Sequence, residues 1–112
     1  MTGYRFQVLN QSRQGLCGVL QVETVERFGV VASLRWSYHG AGAPNGLTGA
    51  GQASPSGSML VLRRESGEAW ARLLHCTTHE MRRGLSYTIQ SAQGQDVATL
   101  VERTPAAVPM AA

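Results

Sequence analysis

From residue 30 to residue 38 the side chains alternate with a period of two. Val30, Ala32, Leu34, Trp36 and Tyr38 fall on one face; Val31, Ser33, Arg35 and Ser37 fall on the other. That period belongs to a strand with one side on a core and the other in water. The pattern recurs along the chain. Tyr4, Phe6 and Val8 alternate with Arg5 and Gln7, and Leu16, Leu20 and Val22 oppose Gln21 and Glu23. A further strand is predicted from residue 59 to 62, and residues 85–91 and 97–103 pair as a hairpin across 92–95. Asn, Ser, Gln and Gly at 10–15, and the polar run at 63–68, supply the turns between them. A chain punctuated this way builds antiparallel sheet.

Two stretches interrupt the pattern. Residues 39–58 are rich in Gly, Ala, Pro and Ser with almost no apolar periodicity. They predict a long loop, and loops of that length are functional or mobile. Residues 68–83 read two ways. Trp70, Leu73, Leu74, Thr77 and Met81 share a helical face, with Ser66 and Gly84 as caps. Thr77 and Thr78 oppose a helix because both are β-branched. Alternation of Trp70, Leu74 and Cys76 supports a strand at 69–76 instead, followed by a connection.

Met81, Gly84 and Tyr87 follow one another at intervals of three, and Trp36 lies on the third predicted strand. With about seven strands in about 100 residues, this arrangement resembles the immunoglobulin-like and fibronectin-type-III-like β-sandwiches over residues 4–103. The resemblance implies an all-β, seven-stranded antiparallel sandwich in which the Tyr87 hydroxyl ties down backbone upstream. Ile89 stands where an antibody domain carries its second core cysteine, so an antibody-type domain is not expected. The alternative is α+β, with one helix at about 67–83 on an antiparallel sheet. Either way the expected organisation is a single domain over 1–104 and a flexible tail at 105–112.

The charge inventory excludes some chemistry. The Lys+Arg total of 10 is entirely Arg, Asp96 is the sole aspartate, and the net charge is +3. Without lysine there is no Schiff base and no phosphate-loop lysine. Arginine brings planar, bidentate cations instead. No Gly-x-Ser-x-Gly elbow and no oriented nucleophile–base set stands out, so no enzyme activity and no cofactor are expected. His75, Cys76 and His79 are ligand types that zinc accepts, though on a strand His75 and Cys76 point to opposite faces. Arg63, Arg64, Trp70, Arg72, Arg82 and Arg83 form the predicted interaction surface.

These readings lead to a non-catalytic protein-interaction or assembly module, a small chaperone or structural subunit acting through edge strands and the 39–58 loop. Its partner would be another protein or a second copy. One alternative is a nucleic-acid binder using the arginines, which need a steep salt dependence. The other is a metal or thiol site at His75, Cys76 and His79. No apolar run reaches membrane-spanning length. A native start at Met1 would mean a cytoplasmic protein, and a mature product a periplasmic or extracellular one.

Overall fold

The computed structural model describes residues 2–9, 17–28, 30–41, 43–54, 58–74, 81–92 and 94–104. Eight strands follow in chain order: β1 (Thr2–Leu9), β2 (Gly18–Arg27), β3 (Val30–Gly40), β4 (Ala43–Ala53), β5 (Met59–Arg64), β6 (Ala69–Leu74), β7 (Ser86–Ser91) and β8 (Gly94–Thr104). Each pairs antiparallel with its successor, and β8 returns to β1, so the sheet closes into an up-and-down barrel.

This corrects the sandwich expectation and the immunoglobulin-like resemblance on which it rested. A sandwich has two sheets; here Tyr4 pairs with Val22 on one side and Arg103 on the other, which joins first and last strands into one wall. The α+β alternative also fails, since no helix occurs among the described residues. Tyr87 sits near the start of β7 opposite Ala98 of β8, and its ring packs edge-on against Phe6 at 6.1 Å. Gly84 serves the connection before β7: its φ of 91° suits glycine, and its N–H donates to the Leu100 carbonyl at 2.8 Å. The tail at 105–112 lies outside the described residues.

The eighth strand is β4, which runs through the stretch predicted to be a loop. Its sequence is a poor strand former on propensity, and the reason it forms lies across the sheet. Leu34 faces Gly51 and Trp36 faces Gly49. A Cβ on Gly49 would collide with the Arg63 carbonyl and come within 2.8 Å of the Trp36 indole nitrogen. Small residues on β4 thus make room for the large ones on β3, as the filled interior of a narrow barrel demands.

That interior holds Tyr4, Phe6, Val8, Leu20, Val22, Leu34, Trp36, Tyr38, Leu60, Leu62, Leu73, Ile89 and Leu100, all at most 3% exposed. An eight-stranded barrel has room either for side chains or for one small ligand; here large aromatic and aliphatic side chains point into it, with Thr24 and Asp96 as the buried polar groups among the described residues. Met81, fully buried, joins the core from the connection between β6 and β7. Register shifts at Arg5/Phe6, Val25/Glu26, Tyr38/Gly40 and Leu62/Arg63 bend the ladders. Such bulges add the local twist that lets a sheet coil shut.

Candidate functional site

The bulge between β5 and β6 carries the most consequence. Leu62 pairs with Ala71 and Arg63 with Ala69, leaving Trp70 as the extra residue. An unpaired bulge residue can be re-aimed, and Trp70 stacks on Trp36 with ring centroids 4.6 Å apart and planes 9° from parallel. Tyr38 tilts against the same ring at 5.1 Å. The Trp36 Nε1–H donates to the Arg63 carbonyl at 2.9 Å and the Ala50 carbonyl at 3.1 Å, tying β3 to both β4 and β5. The Tyr38 hydroxyl accepts from the Cys17 N–H at 3.1 Å and donates to the Ala41 carbonyl at 2.9 Å. Burial pushes the Tyr38 phenol up from its ordinary value, the Cys17 N–H pulls it back, and the negative charge of Asp96 raises it further.

Outside this pinned wall lies a groove of about 610 Å³. Its floor is Trp36, Gly49 and Ala50. Its sides carry Gln21 and Glu23 of β2, Arg35 and Ser37 of β3, Thr48 of β4, and Arg64 and Glu65 where the chain leaves β5. Register explains the arrangement. Gln21 stands opposite Ser37, which stands opposite Thr48; Glu23 stands opposite Arg35, which stands opposite Ala50. The outward positions of three neighbouring strands therefore place both charge signs and three neutral hydrogen-bonding groups over small floor residues.

Of the predicted surface residues, only Arg64 lines the groove. Arg63 is half-buried beside it, and its Nη1 donates to the Gly67 carbonyl at 3.1 Å. Arg72 is exposed on β6 opposite Val61. Trp70 is held against Trp36 and is no stacking platform for a nucleobase. Arg82 and Arg83 are exposed on the β6–β7 connection, at the end of the barrel away from Arg63 and Arg64. The six do not form one patch. Sequence reasoning assigned Gln21, Glu23, Arg35 and Ser37 to the solvent face but gave them no role; their alternation was the available signal.

His75, Cys76 and His79 lie outside the described residues. Among the described residues no group of His, Cys, Asp and Glu side chains gathers as a metal site would require. Cys17 is an exposed free thiol. No helix is long and apolar enough to cross a membrane. The barrel wall itself exposes Arg5, Gln21, Arg35, Arg72 and Gln90 in mid-strand, whereas a membrane barrel turns an apolar band outward.

The fold and groove define an antiparallel up-and-down β-barrel with a largely apolar core and a polar groove on its outer wall. Comparison of the chain with protein-family models, curated proteins and solved structures found no match in any of the three.

Proposed function

We propose that this chain is a non-catalytic binding module that holds an extended polypeptide segment of mixed charge against the wall formed by β2, β3 and β4. The supporting observation is the groove, where Arg35 and Arg64 stand with Glu23 and Glu65 around Gln21, Ser37 and Thr48. Two guanidiniums and two carboxylates in one groove select a partner by charge pattern rather than by net charge. The barrel interior is lined mainly by apolar side chains, so polar and charged recognition falls on the outer surface. Closure gives every strand a neighbour on each side, which favours recognition by side chains over ladder hydrogen bonds. Residues 39–58, expected to meet a partner, contribute Thr48 to one side of the groove and Gly49 and Ala50 to its floor.

A photo-crosslinking amino acid at Thr48, compared with one at Gln90 on another part of the wall, tests this in extracts of the native source. A specific protein adduct from position 48, absent from position 90 and lost with Arg35→Glu and Arg64→Glu, is the expected result. Identical adducts from both positions, or none, would end the proposal. Fluorescence anisotropy with single-stranded oligonucleotides covers the nucleic-acid reading. Tight binding that falls steeply with salt and depends on Arg35 and Arg64 would replace the peptide by a phosphate backbone.

A further inference from the structure

Beyond the closed barrel, β2 and β3 continue as a two-stranded ribbon. β1 pairs with β2 no further than Thr2 opposite Thr24, and β4 pairs with β3 no further than Leu34 opposite Gly51. Residues 25–27 and 30–33 then pair only with each other among the described residues, with a bulge at Val25/Glu26 where Ala32 is the extra residue. At the tip is Phe28, 104% exposed and at φ 55°. A bulky aromatic residue rarely takes that left-handed conformation. Fully exposed and strained, this ring is unlike every other aromatic side chain described in the molecule.

The same end of the barrel is basic. Arg27 adjoins the tip, and Arg82 and Arg83 stand exposed on the β6–β7 connection with Leu85, itself 47% exposed. Arg103, at the end of β8, lies over the Tyr4 ring at 5.8 Å. The described carboxylates toward this end are Glu23, Glu26 and Glu102; Glu23 stands opposite Arg35, and Glu102 is engaged by Arg5. We propose that this end docks on an anionic lipid surface, with Phe28 inserted among the acyl chains near the headgroups and the arginines on the lipid phosphates and carboxylates.

The ribbon favours lipid over nucleic acid. Its side chains beside Phe28 include half-exposed Val25 and Val31 and exposed Ala32, with one cation, Arg27. A phosphate backbone asks for a line of cations along the ribbon, whereas a bilayer interface takes an apolar tip with cations set back from it. The assignment is independent of the groove on the β2–β4 wall, so the two proposals fail separately.

Co-sedimentation of the full chain with phosphatidylcholine vesicles, with and without phosphatidylserine, tests the assignment. Binding is expected only with phosphatidylserine and should weaken with salt. Phe28→Asn, which suits the left-handed backbone and so keeps the fold, should lower partitioning about tenfold or more. Arg82→Gln with Arg83→Gln should lower it about fivefold per charge removed. Protein left in the supernatant with phosphatidylserine vesicles at low salt would overturn the proposal. So would binding indifferent to Phe28→Asn, or tighter binding to duplex or single-stranded oligonucleotides than to the vesicles.

Discussion

At the scale of single residues, the barrel turns on positions where a missing or misplaced side chain decides the outcome. Gly49 is one. A methyl group there meets the Arg63 carbonyl and the Trp36 indole together, and neither can withdraw without breaking the hydrogen bond that joins them. Gly49→Ala is expected to destabilise by about 1–3 kcal/mol, measured as a lower urea midpoint at unchanged slope. Phe28 works in the opposite sense, since its φ of 55° costs stability in the free protein. Phe28→Asn should gain about 1 kcal/mol, seen as a melting temperature raised by about 4 °C or more. A gain in stability with loss of vesicle binding would mark strain kept for function.

At the scale of elements, bulges do what regular strands cannot. The β5–β6 bulge turns Trp70 onto Trp36, and the Trp36 indole in turn satisfies the Arg63 carbonyl beside the bulge. Trp70→Ala removes the stack and leaves part of a cavity. A loss of about 3 kcal/mol is expected, the low end for a tryptophan because the ring is only half-buried. The near-ultraviolet circular dichroism of the stacked pair should vanish in the folded variant, and an unchanged spectrum would contradict the stacking. By contrast, the Arg5–Glu102 ion pair on the outer wall is about half exposed on both sides. Such pairs contribute little.

At the scale of the whole molecule, two phenols buried in the interior shape the response to high pH. Tyr4 and Tyr38 both have phenols raised above the ordinary value of 10.0, chiefly by burial; Arg103 offsets part of this for Tyr4, and the Cys17 N–H part of it for Tyr38. Their folded pKa exceeds the unfolded one, so the folded state holds these protons more tightly. Their contribution is fully present below about pH 10 and is lost as pH rises through the folded values. Denaturant midpoints are expected to hold from neutral pH to about pH 10 and then fall. Tyrosinate absorbance should show the two late titrations coinciding with unfolding.

Much of this was legible in the chain. The alternation in β1, β2 and β3, and the β7–β8 hairpin, were read directly, because one wet and one dry face impose a period of two on any strand. The same alternation placed Gln21, Glu23, Arg35 and Ser37 outward, which is four of the ten residues lining the groove. Three things needed the tertiary structure. β4 is a strand because Trp36 and Leu34 require glycine opposite them, a demand that sits on another strand. Trp70 faces inward because a bulge re-aims it, and bulges leave no periodic mark. Closure itself rests on β1 pairing with β8, the contact most distant in sequence, and the local glycine–tyrosine spacing at 84–87 serves a barrel as readily as a sandwich. Local sequence determines which face of each strand is dry; only long-range pairing decides what those dry faces enclose.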